Sequence, residues 1–490
     1  MRADISAPPT GGKTPTVIRL LVLATFVVIL NETIMINAIP SLMHDLEVDE
    51  QAAQWVSTAF MLTMAAIIPI TGWFLQRVTT RKAYAIAMGV FLAGTALSAV
   101  APTFAILLLG RVIQAGGTAV MMPLLMTTLM TVVAEADRGK VMGNVTLAIS
   151  VAPAMGPVIS GVVLNWASWR WLFVLVLPIA GAVTYLGYRK LEDVGEPQTG
   201  DIDWASVAFA ALGFGGLIYG LSKFSPDNVV SPVLMVVAGI ALVAVFTLRQ
   251  LKLQRVGSPL MDLRVLLAGT YTKGLILMSI AFLAMLGSMM LLPLYLQNLR
   301  HLSALETGLL VMPGGLAMGL LGPTVGKIFD RFGGRVLVIP GSIGITAALA
   351  GFTQISMSMP YWQLLALHIV LMVSLAAVFT PVFTLGLGAL PPNLYSHGSS
   401  MLGTLQQVSA AFGTALVITV MATRTKSLVE GGTEPVAAQL DGMRVAFGIS
   451  AALSVVVIIM AVLLPARAAG HGHDAPEIED ETRAPELVKD

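Results

Sequence analysis

Pro69-Ile70-Thr71-Gly72-Trp73-Phe74-Leu75-Gln76-Arg77-Val78-Thr79-Thr80-Arg81 returns in outline as Pro323-Thr324-Val325-Gly326-Lys327-Ile328-Phe329-Asp330-Arg331-Phe332-Gly333-Gly334-Arg335. Proline, glycine, a polar residue ahead of an arginine, and a further arginine keep one spacing in both copies. Outward from each copy the sequence turns apolar for the length of a membrane crossing. Fourteen such runs are expected, at 17–39, 53–74, 83–101, 104–126, 140–164, 170–189, 204–222, 231–249, 273–296, 305–325, 336–356, 362–389, 400–421 and 443–465. A crossing takes roughly 20 apolar residues to cover a hydrocarbon core of about 30 Å. The chain reads as an all-α polytopic membrane protein of fourteen helices.

Composition agrees, with 56% hydrophobic and 11% charged residues. Runs this long and continuous exclude a barrel, whose strands would alternate over about ten residues, and inside lipid a helix pairs every backbone group within its own segment. Cysteine is absent, so there is neither a disulfide framework nor thiolate chemistry. A net charge of +1 carries no signal for nucleic acid. The segment from Met1 is basic and then apolar through Pro40 without a small-residue cleavage site, so it reads as a retained first helix rather than a signal peptide.

With the N-terminus inside, alternate loops place 21 Lys and Arg on the inner side and six on the outer side, with Arg111 left within a span. By the positive-inside rule both termini are expected in the cytoplasm of a cell whose plasma, or inner, membrane holds the chain. Both copies of the repeat then lie on the cytoplasmic side, and span 2 corresponds to span 10. Two six-helix halves with two helices inserted between them satisfy that spacing. The expected parts are a cytoplasmic segment 1–16, a six-helix bundle 17–190, an inserted pair with its linkers 191–272, a second bundle 273–465 and a disordered cytoplasmic tail 466–490. Repeats of this kind are common in secondary transporters, whose substrate site lies near the midplane between the halves.

The repeated loops resemble the signature cytoplasmic loop of the major facilitator superfamily, Gly-x-x-x-Asp-Arg-x-Gly-Arg-Arg. Other segments are similar to its fourteen-helix drug:proton antiporter branch, the EmrB/QacA type: Leu30-Asn31-Glu32-Thr33-Ile34 through Pro40, Leu109-Gly110-Arg111-Val112-Ile113-Gln114-Ala115-Gly116-Gly117, Ala152-Pro153-Ala154-Met155-Gly156-Pro157 through Ser160-Gly161, and Trp169-Arg170-Trp171-Leu172-Phe173 with Pro178. The resemblance implies alternating access driven by protons. It also assigns conformational roles to Gly72, Arg77, Arg81, Gly156, Pro157, Gly161, Gly326, Asp330, Arg331 and Arg335. The chain departs from the pattern in two places. Gln76 stands where the family usually has Asp, with Thr79 and Thr80 for Gly and Arg. Asn31 holds the usual first-helix Asp position, and the acid has moved to Glu32, about 100° around the helix.

Glu32 is the one carboxylate expected well inside a span. A charge at midplane costs about 2.5–3.5 kcal/mol on insertion scales, so such a group faces the bundle interior, is paired, or takes up a proton. Thr25, Glu32, Thr33 and Asn37 share a broad arc, consistent with a wet face. Proton coupling is one reading, and it is the role the resemblance implies; a hydrogen-bonded Glu at a helix contact is the other. Arg111 is the one base expected deep in a span, on a face with Gln114, Ala115, Thr118 and Met122. Either it acts on Glu32 or another acid, as the resemblance implies, or it caps carbonyls or snorkels outward.

Ala152, Gly156 and Ser160 at four-residue spacing, with Pro153 and Pro157, suit a closely packed, bent span 5. In span 13, Gly403, Gln406, Gln407, Ala410 and Gly413 form a weaker counterpart whose glutamines are candidates for binding cargo. Met121, Met122, Met126 and Met130 offer adaptable thioethers, though packing accounts for most methionines. His368 reads either as part of a proton relay or as a hydrogen-bonded core imidazole. His471 and His473 fall in the polar tail, where metal capture is the lesser reading. Thr425 to Gly442 reads as an outer hairpin or a plain loop, with a turn at Glu430-Gly431-Gly432.

No phosphate loop, His-Glu-x-x-His motif or paired intramembrane acids occur, so an enzyme, a nucleotide cofactor and a metal centre are not expected. The available energy is a gradient, about 2.3 kcal/mol per charge per 100 mV. The expected function is proton-coupled export of apolar, often cationic drugs. Its expected partners are protons, the lipid bilayer and, where the cell has an outer membrane, an adaptor protein. Export of an endogenous metabolite, amino acid or lipid precursor is the alternative on the same fold, and a non-transporting sensor or scaffold ranks below both.

Overall fold

The computed structural model describes residues 15–35, 38–194, 200–224, 229–256 and 259–465. Among them every regular element is a helix: α1 (Thr16–Ile34), α2 (Ile39–Asp45), α3 (Glu50–Arg77), α4 (Thr80–Ala99), α5 (Phe104–Val132), α6 (Arg138–Trp166), α7 (Arg170–Lys190), α8 (Trp204–Ser222), α9 (Val230–Leu253), α10 (Gly269–Leu294), α11 (Ala304–Phe332), α12 (Arg335–Phe352), α13 (Tyr361–Gly388), α14 (Tyr395–Glu430) and α15 (Pro435–Leu463). All but α2 coincide with the fourteen helices long and apolar enough to span a membrane.

Polar residues between the apolar runs start these helices. Asp49 accepts a hydrogen bond from the Ala52 amide at 2.7 Å, and Ser303 with Glu306 closes a capping box at the head of α11. Such caps satisfy amides that have no partner within the helix. Charged and turn-forming residues end them: α11 stops at Gly333, whose φ of 82° lies in the left-handed region that glycine adopts without strain. Prolines sit inside eight of the described spanning helices, among them Pro69, Pro123, Pro153 and Pro323.

α1 packs on α5, α6 and α7, while α3 and α4 pack on α5. In the second half α10 packs on α13, α14 and α15, and α12 on α13 and α15. The inserted helices α8 and α9 pair with each other, and α8 also lies against both α3 and α14. The halves meet along two seams. One is α6 against α11; the other is α14 against α3 and α5. An even number of crossings returns Leu463 to the side on which Thr16 starts, the side of both repeated loops.

Two boundaries differ from the sequence reading. Span 1 stops at Ile34, the chain turns at Met35, and α2 resumes at Ile39 with Pro40 in its first turn, where a missing amide costs nothing. Between spans 13 and 14 the plain-loop alternative gives way to a helical hairpin: α14 continues to Glu430 and α15 begins at Pro435, with the reversal at Gly431 and Gly432. Arg424 reaches Asp441 at 2.8 Å across these two extensions.

Candidate functional site

Arg111 is 1% exposed, midway along α5's first half, and it does not snorkel. Its Nη1 donates to Gln114 Oε1 at 2.6 Å and more weakly to Asn31 Oδ1 at 3.4 Å, and its Nε donates to the Val56 carbonyl at 3.4 Å. The Phe60 ring lies 4.1 Å from the guanidinium carbon. A guanidinium keeps its charge, so in a buried position it needs oxygen acceptors or an aromatic face. The chain of donors then runs on: Gln114 Nε2 donates to Thr95 Oγ1 at 2.7 Å, and Thr95 donates to the Phe91 carbonyl at 2.7 Å. Gln114 sits three residues beyond Arg111, one turn along the same face, which is why the sequence spacing found it. Asn31, Phe60 and Thr95 come from three other helices.

Glu32 follows Asn31 but points elsewhere. It was expected well inside a span, but α1 ends at Ile34 and Glu32 stands in its last turn, half-buried, with no ion pair among the described residues. Arg111 is the charged group that acts on it across space. About 100° around α1 separates the two: Asn31, fully buried, accepts from Arg111 of α5, and Glu32 lies on the adjoining face. Thr33 is occupied by its own helix, donating to the Leu30 carbonyl at 3.0 Å, and packs against Gly156, where any larger residue would meet its hydroxyl.

The remaining candidates do not form one constellation with this island. Thr118 donates to the Gln114 carbonyl at 3.1 Å and Met122 is half-buried farther along α5, so both stay on the Arg111 face. Thr25 is buried, with no partner for its hydroxyl among the described residues. His368, 2% exposed, bonds the Val311 backbone and lies flat against Gly314 of α11, leaving Nε2 unpartnered. Gln407 reaches Met64 Sδ at 4.0 Å across the second seam, and Gln406 Nε2 is buried without a partner. Asn37, His471 and His473 lie outside the described residues. No cluster of His, Cys, Asp and Glu fit for a metal occurs among the described residues.

The family model described as Major Facilitator Superfamily matches residues 21–414. The chain belongs to the Major Facilitator Superfamily. It is 37% identical to an "Uncharacterized MFS-type transporter YcnB" of Bacillus subtilis, over 91% of this chain and 94% of that one. It is likewise 37% identical to "Lincomycin resistance protein LmrB" of Listeria monocytogenes (88% and 92% covered), and 29% identical to "Multidrug export protein EmrB" of Haemophilus influenzae (84% and 81%). Among solved structures, the proton:xylose symporter XylE superposes with a TM-score of 0.62 at 15% identity, over 92% of this chain and 95% of that one. The human organic anion transporter MFSD10 gives 0.63 at 14%, over 91% and 100%. That likeness is one of fold. The protein is therefore a multi-pass membrane transporter of a drug-resistance branch of the superfamily, and not an enzyme.

Each repeated loop reaches the opposite half, and the two copies do so with different chemistry. Asp330 accepts from the Gly139 amide at 2.8 Å and the Lys140 amide at 2.7 Å, capping α6 from the other half. Gln76, in the equivalent place, donates from Nε2 to the Asn393 carbonyl at 2.9 Å. Gly72 leaves room for His397, which a methyl group there would approach to 2.8 Å. Arg77 Nε donates to the Gly200 carbonyl at 3.0 Å, and the Arg81 amide donates to Asp193 at 3.0 Å, so this copy also holds the linker into the inserted pair. The Thr79 hydroxyl, with the Arg81 amide, holds the Asp193 carboxyl below its usual range. Arg335 is spent on the Leu464 carbonyl at 2.9 Å, and Arg331 lies over Phe332 at 5.2 Å. Pro157 and Gly161 face Gly308 and Leu305 at the far end of α6.

Proposed function

We propose that this facilitator exports drug-like small molecules in exchange for protons, with Glu32 as the proton-carrying group and the repeated loops facing the cytoplasm. The observation that carries the reading is the separation of Asn31 from Glu32. Asn31, in the position the family usually gives to an acid, is tied to Arg111, whereas Glu32 is partly enclosed, retains accessible surface and has no ion pair among the described residues. A group of that kind changes charge at modest structural cost. The names of the relatives, lincomycin resistance and multidrug export, support a drug-like cargo.

The two bundles, 17–190 and 273–465, rock about the midplane, and the pair within 191–272 rides between them. With the repeated-loop end sealed, Glu32 takes a proton from the outside. Its release on the inside accompanies loading of the cargo, so that each ligand favours a different one of the two states. Met122, Gln406 and Gln407, which keep some accessible surface, meet the cargo, while Gln114 and Thr118 remain in the buried Arg111 network. An adaptor protein joins only where an outer membrane lies beyond.

Ethidium and lincomycin efflux from proteoliposomes with an imposed pH gradient tests this. Gradient-driven transport that Glu32→Gln abolishes supports the reading. Full transport by correctly folded Glu32→Gln protein sinks the role of Glu32, and no transport of either compound by the wild type redirects the search to endogenous cargo.

A further inference from the structure

The two seams between the halves are built unequally. Along α6 and α11 the backbones touch. Gly139 and Gly143 on α6 face Gly326 and Gly322 on α11, two Gly-x-x-x-Gly steps set against each other; a methyl group at Gly326 would strike the Gly139 carbonyl, and one at Gly143 the Gly322 carbonyl. Farther along, Gly319 meets Val151 at 2.8 Å from where its Cβ would be, Gly315 meets Ala154 at 2.6 Å, and Gly308 and Leu305 meet Pro157 and Gly161. From Gly139 to Gly161 at 1.5 Å per residue, that contact runs roughly 30 Å, the thickness of a hydrocarbon core. Small residues at four-residue spacing bring helices to backbone contact in lipid. Asp330 then fixes the end of this seam with two amide bonds to α6.

The second seam has no such spine. Its closer hydrogen bonds gather at the repeated-loop end: Gln76 to the Asn393 carbonyl at 2.9 Å, Ser400 Oγ to the Ile68 carbonyl at 2.6 Å and Thr127 Oγ1 with Ser399 Oγ at 2.9 Å, joined by a long bond from Arg138 to the Tyr395 hydroxyl at 3.4 Å; farther along lies the weak contact of Gln407 with Met64 Sδ at 4.0 Å. On the first-half side of it, Leu75, Val78, Thr80, Thr127, Thr128 and Thr131 of α3, α4, α5 and the α3–α4 turn line a small open cleft. On the first seam the hydroxyl pair is Thr146 with Thr380, at 2.8 Å. The repeat relates α5 to α13 and α6 to α14, so Thr127 with Ser399 and Thr380 with Thr146 are pseudo-symmetric partners. Each lies within about two turns of its helix end.

We propose that the halves do not part evenly: α6 and α11 stay in contact as a pivot through the transport cycle, and the repeated-loop end opens on the α3–α14 side. Thr127 and Ser399 separate while Thr146 and Thr380 remain paired. The same motion carries α14 past α8, which lies against both α3 and α14. Backbone contact over the whole span favours this division, since parting α6 from α11 would leave two glycine faces with nothing of matching shape. Separating α14 from α3 and α5 breaks a handful of side-chain hydrogen bonds, gathered mainly at one end, and no run of backbone contact. The proposal concerns which seam moves, and it holds whatever cargo or coupling ion the protein uses.

The absence of cysteine lets the two hydroxyl pairs be replaced directly. Thr127→Cys with Ser399→Cys, and Thr146→Cys with Thr380→Cys, are oxidised with copper phenanthroline in native vesicles and assayed for efflux before and after dithiothreitol. The expected result is that the 127–399 bridge stops efflux until reduced, whereas the 146–380 bridge leaves efflux at the level of the reduced protein. Equal arrest by both bridges, or continued efflux with 127–399 fully bridged, overturns the pivot. If either pair impairs folding, single Ser399→Cys and Thr380→Cys proteins labelled with a membrane-impermeant maleimide during turnover give a second reading. Faster labelling at 399 is expected, and equal or faster labelling at 380 overturns the proposal. Loss of wild-type efflux of the test drugs would count against the proposed cargo and leave the labelling result intact.

Discussion

Arg111 gives its shortest hydrogen bond, 2.6 Å, to the amide oxygen of Gln114, and the neighbouring Glu32 carboxylate stands outside that contact. The buried positive charge is thereby held by neutral oxygens and the Phe60 ring, so the acid is not needed as its counterion in direct contact. Two consequences follow for the proposed site, one for each member of the pair.

For Glu32, the isosteric Glu32→Gln keeps hydrogen bonding and volume but cannot carry a proton. Because Arg111 keeps its partners, the protein is expected to fold and to bind cargo normally. Uptake driven by a pH gradient is expected to fall to that of protein-free liposomes, and cargo binding at a fixed pH to persist. A stopped-flow comparison of gradient-driven and counterflow transport separates the two.

For Arg111, the supports are Gln114 and, behind it, Thr95. Gln114→Leu removes the main acceptor from a buried charge and is expected to destabilise the protein by about 2 kcal/mol, the scale of a hydrogen bond to a charged group. Thr95→Val removes a neutral bond and is expected to cost about 0.6 kcal/mol, typical of hydrogen bonds within membranes. Thermal unfolding in one detergent, with Thr118→Val as a comparison, gives the order Gln114 above Thr95.

At the mouth of the inserted pair Asp203 caps α8 and accepts two bonds from Arg249, at 2.6 and 2.8 Å. The Arg249 guanidinium, with Ser206, holds the Asp203 carboxyl down to about 2. A depressed acid stabilises the fold above its unfolded pKa, about 3.9, and that contribution disappears as pH falls through about 2. Between pH 5 and 8 the pair is therefore constant, and it accounts for no transport pH profile. Being close to water it contributes only about 0.5–1 kcal/mol. Asp203→Asn is expected to lower stability by that amount at pH 7 and to converge with the wild type near pH 2, as equilibrium unfolding across that range would show.

The fourteen spans, the repeat and the polar face of α5 were legible because each is a pattern within one helix or between two copies of one loop. Arg111 and Gln114 share a face at a spacing visible in the sequence. Thr95, Phe60 and the Val56 carbonyl were not visible, since nothing in their own helices marks them; only the packing of α3 and α4 on α5 brings them to the guanidinium. His397 escaped notice for the same reason, its contact with Gly72 joining residues from opposite halves. The facing glycines of α6 and α11 were half legible. Gly326 was marked by the repeat, but Gly139 and Gly143 gain meaning only against a partner helix. The end of span 1 was misjudged because hydropathy continues through Ala38 after the helix has turned at Met35.

Gly326 offers the most direct test of how the repeated-loop end closes. A methyl group there would run into the Gly139 carbonyl oxygen, a backbone atom that has no rotamer by which to yield. At Gly215 on α8 and Gly89 on α4 an added Cβ meets nothing within 4 Å. Alanine favours a helix over glycine by about 1 kcal/mol, so Gly215→Ala and Gly89→Ala are expected to be neutral or mildly stabilising. Gly326→Ala gains the same propensity and yet must hold α6 and α11 apart at their capped ends, weakening the Asp330 bonds to the Gly139 and Lys140 amides. Because α6 and α11 keep this contact in both states, the variant is expected to lose about 1–3 kcal/mol of stability without favouring either state. Thermal unfolding in one detergent reads the loss, with Gly215→Ala and Gly89→Ala neutral or slightly raised, and maleimide labelling of a cysteine at position 399 from the repeated-loop side is expected to keep the wild-type rate. Faster labelling in Gly326→Ala would mean that the glycine contact belongs to the sealed state alone and is no fixed pivot.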